Sequence, residues 1–240
     1  MKRPSPQPLL LVSLLALFFA LAACAVPATR YLSAGPTEPG NDNDPSTAVI
    51  LLRPFTETFA SDSQIGHHLF TRNRQTKLLV KPDTISQTLD AMLLHELATK
   101  KIATAHNGIT WDQSPEGLAS FTKPTRLIIS GQITHLSLNV DEKVLSGKAR
   151  VEMDVECILG VVKDKKVIHR NVHVAQEMVT ISFGQKDLDK LLADCLKEAS
   201  KEILAKCSDL VASMPLGPAQ QPKTTNKTEQ KIKTVNERTS

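Results

Sequence analysis

The chain has 240 residues, of which 41% are hydrophobic and 22% are charged, so it can bury a core and is not disordered as a whole. Aromatic residues make up only 4%, which argues against an aromatic platform for sugars or nucleic acids. The formal net charge is +4, but Lys2, Arg3 and the basic segment 222–240 carry the excess. The remainder is close to neutral, so we predict no nucleic-acid partner.

The N-terminus has the pattern of an export signal. Lys2 and Arg3 precede an apolar run over residues 9–23, which is shorter than the ~20 residues that span a bilayer but typical of a signal peptide. The run ends in Leu21-Ala22-Ala23-Cys24, which resembles the bacterial lipobox. We predict that residues 1–23 are removed and that Cys24 receives a diacylglycerol and an acyl chain such as palmitate. The alternative is an ordinary signal peptide with a chance cysteine.

The residues after Cys24 bear on location and domain boundaries. Ala25 stands where, in the enterobacterial sorting convention, an aspartate would retain a lipoprotein in the inner membrane. We therefore predict the outer membrane, with the protein facing the periplasm. Residues 24–47 are rich in Pro, Gly and Asn and are predicted to be a lipidated flexible tether. Residues 213–240 are predicted to be a disordered basic tail, which leaves a folded domain over 48–212.

The first half of the predicted domain contains one strand and one helix. The continuous apolar run at 48–52 is typical of a buried strand. Segment 56–81 is predicted to be a long polar loop. Asp83 or Thr84 is predicted to cap a helix that continues to about residue 104. Its apolar stripe consists of Ile85, Leu89, Met92, Leu93 and Leu97.

Strand-like runs dominate the second half. A short strand is expected at 109–111, and a longer run at 127–140 changes phase near its middle, which predicts a bulge. The run at 149–161 alternates most regularly, with one apolar face and one charged face. A charged turn at 163–166 leads to a third run at 167–181. The polar positions of the alternating run are Arg150, Glu152, Asp154 and Glu156.

An amphipathic helix over residues 186–211 closes the domain. The order is strand, helix, short strand, three-strand meander and helix. This order predicts an α+β fold, with a mainly antiparallel sheet of about four to five strands and two helices packed on one face. The other face of the sheet is expected to stay polar.

Several of these features carry a family resemblance. They are the lipobox, a first strand ending in Leu52-Arg53-Pro54, the pair Ile65-Gly66, the helix at 85–97, the segment Ile129-Ser130-Gly131-Gln132-Ile133 and the strand at 149–161. Together they resemble the YajG family of bacterial outer-membrane lipoproteins and, more distantly, the auxiliary lipoproteins of ABC transport systems. Lys101-Ile102 stands where that family usually has a glycine followed by an aromatic residue. The resemblance implies a lipoprotein domain without a defined enzymatic activity, and Cys24 is the one functional residue that it transfers.

Three cysteines remain besides Cys24. Cys195 and Cys207 lie on one helix about 18 Å apart, too far for a disulfide. Cys157 lies on the core face of its strand and can pair with one of these two, with Cys195 as the candidate, if that helix packs over the strand. The alternative is three buried thiols that act as small hydrophobic side chains.

We predict no metal site, no cofactor and no enzymatic activity. His95-Glu96 begins like a zinc-protease motif, but position 99 is a threonine, so the second ligand is missing. His169 and His173 are four residues apart on a strand, about 13 Å, too far to share one ion. Surface contacts between these histidines and carboxylates are expected instead.

The segment 56–81 is the candidate binding region. It is long for a loop in a compact domain, and such loops are often functional. It mixes apolar residues with His67, His68, Arg72, Arg74 and Lys77, and the first four of these are the candidate binding residues. We predict that it docks an envelope protein partner or an anionic lipid headgroup. The alternative is that its apolar residues cover a sheet edge.

The sequence is compatible with two candidate functions for the domain. The first is a non-enzymatic interaction or accessory module, anchored to the membrane through Cys24 and docking on an envelope assembly. The second is a carrier that binds an acyl chain or phospholipid between helices and sheet. A carrier needs more apolar surface than its own core can hide, and the helix stripes are wide enough only for ordinary packing. This comparison favours the interaction module over the carrier.

Overall fold

The computed structural model describes residues 29–34, 48–59, 64–71, 74–106, 111–121 and 124–212. The elements are β1 (Thr29–Leu32), β2 (Ile50–Leu52), β3 (Thr56–Glu57), β4 (Gln64–Phe70), β5 (Arg74–Val80), α1 (Thr84–Thr99), β6 (Thr104–Ala105), a short 3-10 helix (Gly117–Ser120), β7 (Leu127–Glu142), β8 (Gly147–Val161), β9 (Lys166–Thr180) and α2 (Gln185–Ala212). In these ranges no helix is long and apolar enough to cross a membrane. The predicted signal peptide, Cys24 and the basic tail lie outside the described residues.

The long strand β7 organises the sheet. Along one edge it pairs with β8 in antiparallel fashion, and β9 continues this meander. Along its other edge it pairs in succession with β2, β3 and β4, all parallel to β7. β5 and β1 extend the sheet beyond β4, and β6 pairs with β2. The α+β class with two helices is confirmed, but the predicted four to five mainly antiparallel strands are wrong. Among the described residues the sheet is mixed and has nine strands.

The predicted long loop at 56–81 is mostly strand. It contains β3 and the antiparallel hairpin of β4 and β5. β4 could not be recognised as a strand from the sequence pattern, for two reasons. A register shift between Gln64 and Gly66 breaks the alternation, and an inward position is occupied by His68 rather than by an aliphatic residue. Gly66 is required where β4 meets β7, because a Cβ there would lie 1.8 Å from the carbonyl oxygen of Leu138.

The segment predicted to be a flexible tether contains β1. This strand pairs in parallel with β5, from Thr29 opposite Lys77 to Leu32 opposite Val80. Leu32 is buried in the core, and the backbone N–H of Ser33 donates to Oδ1 of Asp189 in α2 at 2.9 Å. The sheet therefore begins at Thr29, well before the predicted boundary at residue 48.

The main core lies between the sheet and the two helices. Buried residues of α1 and α2 share one cluster with the inward residues of β2, β4, β5, β7, β8 and β9.

Two further predictions concern α1 and β7. α1 ends at Thr99, earlier than predicted, and Lys101 follows it with a left-handed φ of 57°. The phase change predicted within β7 is confirmed, because the pairing with β8 shifts between Ile133 and His135.

A second, smaller core covers one end of the opposite sheet face. Trp111 and Leu118 pack there against Leu51, Ile128 and Ile158. Trp111 does not belong to the predicted strand at 109–111 but to a loop, where its indole N–H donates to the carbonyl of Ser114 at 2.9 Å. The prediction that the opposite face is polar throughout is therefore wrong. That face is polar only outside this cluster.

Candidate functional site

Three of the four predicted binding residues, His67, His68 and Arg74, are described by the structure, and they lie on the strands β4 and β5. His68 is fully buried, so it cannot meet a partner at the surface. His67 is half-buried and its Nε2 lies 2.9 Å from Nε2 of Gln64, while Arg74 is exposed at the start of β5. Arg72 lies outside the described residues. His68 therefore cannot make the surface contact that was predicted for it, while the docking role of His67, Arg72 and Arg74 stays a prediction.

His68 is instead the centre of a buried polar cluster. Its ring stacks on Phe70 at 3.8 Å between centroids and meets the edge of Phe183 at 6.5 Å. Nη1 of Arg30 donates to Nδ1 at 3.3 Å, and Nε2 lies 3.1 Å from Oε1 of Glu142. Because a guanidinium can only donate, Nδ1 must be the acceptor, which makes the ring neutral with its proton on Nε2 facing Glu142.

The electrostatics of this cluster agree with a neutral ring. Burial lowers the pKa of His68 below its ordinary value of 6.5, and the positive charge of Arg30 lowers it further, while Glu142 opposes both. Oε1 of Glu142 also accepts the backbone N–H of Phe183 at 2.6 Å. The cluster joins β1, β4, β7 and the segment before α2. Both ring nitrogens of His68 thus face groups of the fold, Arg30 and Glu142, inside the protein.

A second buried carboxylate fixes α1. Asp90 is only 4% exposed, and both of its oxygens accept the backbone N–H of Phe55, at 3.2 and 3.3 Å. Its Oδ2 lies 3.5 Å from Nε2 of His106. Burial raises the pKa of Asp90, although these contacts partly offset the effect. The sequence analysis did not identify Asp90. Its helical spacing from Ser86 and Leu97 places it on the buried face of α1, and a carboxylate on the buried face of a helix is a signal that the sequence contains.

The polar side of the meander is an exposed surface rich in charged groups. We call it the outer face, and its residues are Gln132, Lys148, Arg150, Glu152, Asp154, Glu156, His169, His173 and Glu177. The expected contacts between surface histidines and carboxylates are present. Nδ1 of His169 lies 3.1 Å from Glu156, and Nδ1 of His173 lies 2.6 Å from Asp154. Throughout the described ranges there is no group of three potential ligands that could hold a metal ion.

Ion pairs also join the basic residues of the outer face to glutamates on the same and the neighbouring strand. Nζ of Lys148 lies 2.9 Å from Glu177, and Arg150 contacts both Glu177 and Glu152. Hydrogen bonds lower the pKa of Glu177, chiefly from Lys148, and of Glu156, chiefly from Gln132 at 2.7 Å. Both carboxylates therefore stay ionised below their usual range. The charged side chains of the outer face are therefore arranged as ion pairs between neighbouring residues.

The three described cysteines are free and buried. The disulfide between Cys157 and Cys195 that the sequence left open is not formed. The pKa of Cys157 is raised mainly by burial and further by Cys207. Burial raises the pKa of each thiol to about 12, which leaves all three protonated and poorly nucleophilic at neutral pH. They behave as small hydrophobic side chains.

Comparison with known proteins gives no family. No family model matches the chain and no curated protein matches it, so the predicted membership in the YajG family stays a prediction. The chain is similar to a solved structure of a DUF330 protein from Xanthomonas campestris, with 10% identity, a TM-score of 0.45, and 78% of this chain and 100% of that chain covered.

Two further solved structures are similar at the same low level. Rare lipoprotein B from Shewanella oneidensis has 8% identity and a TM-score of 0.34, with 68% of this chain and 97% of that chain covered. The PelC dodecamer from Paraburkholderia phytofirmans has 13% identity and a TM-score of 0.31, with 68% and 94% covered. Likenesses of this size identify neither a family nor a function.

Proposed function

We propose that this protein is a lipid-anchored bacterial envelope lipoprotein whose domain is a non-enzymatic interaction module in the periplasm. The observation that carries the proposal is the short spacing between anchor and fold. The lipobox cysteine, Cys24, lies five residues before Thr29, where the sheet begins. A diacylglycerol and an acyl chain on Cys24 would hold the domain directly at the membrane surface.

The chemistry of the described side chains supports a role without catalysis. The buried imidazole of His68 uses both nitrogens within the fold. The buried thiols are protonated at neutral pH because of their raised pKa values. The exposed histidines are paired with carboxylates on a flat strand surface. These groups do not converge on a position where a substrate atom could react.

The packing of the helices supports an interaction module over a lipid carrier. The apolar stripe of α1 is buried in the main core through Ile85, Leu89 and Leu93. The stripe of α2 is buried in the same way, through residues that include Leu192 and Ile203. An acyl chain between helices and sheet would have to displace these contacts. The carrier function is therefore the weaker proposal.

The outer face is the surface that we propose for partner recognition. Its ion pairs are largely exposed, and pairs of this kind contribute little to stability. A partner with complementary charges could therefore exchange them at low cost, and such surfaces favour specificity and rapid association.

Membrane fractionation tests the anchor. The full-length chain is expressed in a bacterium that processes lipoproteins, beside a Cys24→Ser variant. We expect the parent in the membrane fraction, with a mass increased by lipid at its new N-terminus, and the variant released to the soluble fraction. Equal membrane association of both proteins, without a lipid adduct, would reject the anchor.

Site-specific photo-crosslinking in living cells tests the interaction module. A photoreactive amino acid replaces Glu152 on the outer face or, as a control, the exposed Glu202 of α2. We expect a discrete protein adduct from position 152 but not from 202, and we expect Arg150→Glu to abolish it. If position 152 gives no protein adduct and the purified protein carries a stoichiometric lipid, the carrier function replaces the module.

A further inference from the structure

The two hairpins of the meander carry different kinds of side chain at their tips, apolar at one and charged at the other. The connection between β7 and β8 places Val144 and Leu145 at its tip, 78% and 84% exposed, with the N–H of Lys143 donating to the carbonyl of Ser146. The connection between β8 and β9, at the opposite end of the strands, is the exposed charged run 163–165. Hairpin tips favour Gly, Asn and Asp, so formation of the turn does not require two bulky apolar residues at its tip.

Further exposed apolar side chains gather at the same end of the sheet. Val179 is 70% exposed and Ile181 is 76% exposed, just where β9 ends. Leu69 is 43% exposed near the end of β4. A single row of paired residues, Leu69, Asp141, Lys148 and Val179, connects these strands. We call this surface the apolar end and define it as Leu69, Val144, Leu145, Val179 and Ile181.

The strand register places the start of the fold near the apolar end. Thr29 pairs with Lys77 of β5, three positions from Arg74, the first residue of that strand. Arg74 pairs with Phe70 at the hairpin end. Three strand positions correspond to about 10 Å. Since β1 runs parallel to β5, the N-terminal end of β1 points toward the apolar end.

The length of chain before Thr29 limits how the domain can face a membrane. Cys24 is five residues away, at most about 18 Å in a fully extended chain. The register Lys77–His67–Asn139 puts Thr29 level with Asn139 of β7. The charged hairpin end of β7 begins at Leu127, twelve positions or about 40 Å from that level. A lipid on Cys24 can therefore bring the apolar end to the bilayer, whereas the charged hairpin is out of reach.

From this geometry we propose that the apolar end inserts into the interfacial layer of the phospholipid bilayer that holds Cys24. The inference rests on the lipid anchor of the proposed function. Apolar side chains at an interface strengthen membrane attachment, and lysines beside them can reach lipid phosphates. The exposed Lys143 and Lys148 flank the tip. In this orientation β7, β8 and β9 stand away from the membrane and turn the outer face toward the periplasm.

Depth-dependent fluorescence quenching in proteoliposomes tests the orientation. The lipidated full-length protein carries one new cysteine, Leu145→Cys at the apolar tip or Asp164→Cys at the charged tip, labelled with an environment-sensitive dye. Buried thiols with a pKa of about 12 do not compete for the dye. The vesicles contain phosphatidylethanolamine, phosphatidylglycerol and a nitroxide-labelled lipid. We expect several-fold stronger quenching and a blue-shifted emission at position 145, and neither at 164.

The outcomes separate this inference from the anchor. Vesicle flotation with equal, weak quenching at both positions would keep the anchor and overturn the membrane insertion. A blue shift at position 145 without lipid quenching would place the tip against protein and also overturn it. Failure of the protein to float would reject the anchor, and the insertion with it. A Val144→Asp change that abolishes quenching of a dye at Val179→Cys, while the protein still floats, would support the insertion independently.

Discussion

The carboxylate of Glu57, at the end of β3, accepts the backbone N–H of Ser86 in the first turn of α1 at 2.8 Å. Its other oxygen accepts the N–H of Asp83 at 3.3 Å. Asp83 takes the predicted N-cap position with a left-handed φ of 58°, but its side chain makes no capping hydrogen bond. A carboxylate at a helix N-terminus satisfies unpaired N–H groups and interacts favourably with the helix dipole.

Removal of this cap should destabilise the protein. We expect Glu57→Ala to lower the free energy of unfolding by about 1–2 kcal/mol, because two N–H groups lose their acceptor. Urea unfolding followed by circular dichroism measures the change. The control is Glu116→Ala, an exposed glutamate without a capping hydrogen bond, which should change stability by less than about 0.5 kcal/mol. Equal stabilities of the two variants would show that Glu57 does not cap α1.

Removal of Glu142 should have a comparable effect for a different reason. Glu142→Ala takes the acceptor from the N–H of Phe183 and the partner from the buried ring of His68. We expect a loss of about 1–3 kcal/mol in unfolding free energy. Asp141→Ala, at the neighbouring exposed position, is the matched control and should be nearly neutral. Similar losses from both variants would contradict the role assigned to the cluster.

The buried His68 should make the protein less stable in mild acid. Its pKa in the folded state is below 6.5, so below that pH the unfolded state binds more protons at this position. Stability is therefore complete above about pH 6.5 and falls as the pH drops toward the folded-state pKa. Asp90, with its raised pKa, acts in the opposite direction at more acidic pH. We expect the loss of unfolding free energy between pH 7.5 and 5.5 to be smaller in His68→Gln than in the parent. An unchanged pH slope would disprove the assignment.

The tight approach of β4 to β7 should make Gly66 intolerant of a side chain. Gly66→Ala would drive a Cβ into the backbone carbonyl of Leu138, and backbone cannot move aside as a flexible side chain can. We expect a loss of more than ~2 kcal/mol or failure to fold. The control is Gly184→Ala, whose nearest contact would be the Asp187 carboxylate at 3.3 Å. Thermal unfolding of both variants measures the difference, and a stable Gly66→Ala protein would refute the close pairing.

The cysteines should be unreactive in the folded protein. Alkylation at neutral pH without reductant should label none of Cys157, Cys195 and Cys207, since burial keeps them protonated and inaccessible. Alkylation in denaturant, still without reductant, should add three labels, as intact mass measures directly. One label in denaturant, rising to three only after reduction, would establish a disulfide instead.

Local periodicity is what made part of this fold predictable. The meander strand at 149–161, the bulge in β7 and both helices follow from the spacing of apolar residues within one segment. The contacts between surface histidines and carboxylates follow from the same alternation. These elements are long enough for a period to be counted, so their type and buried face were predicted without knowledge of their partners.

Strand partners outside the local segment decided the rest. β1 and β3 have four and two residues, too few to show a period, and they exist because β5 and β7 offer them hydrogen-bonding edges. The sequence by itself determined the two helices and the alternating meander, and it is the whole basis for the predicted export and lipidation signal. Only the tertiary structure decided that His68 is buried rather than a surface ligand. Arg30 and Glu142, far from it in sequence, offset the cost of burying its polar ring, and no pattern in a single segment contains that information.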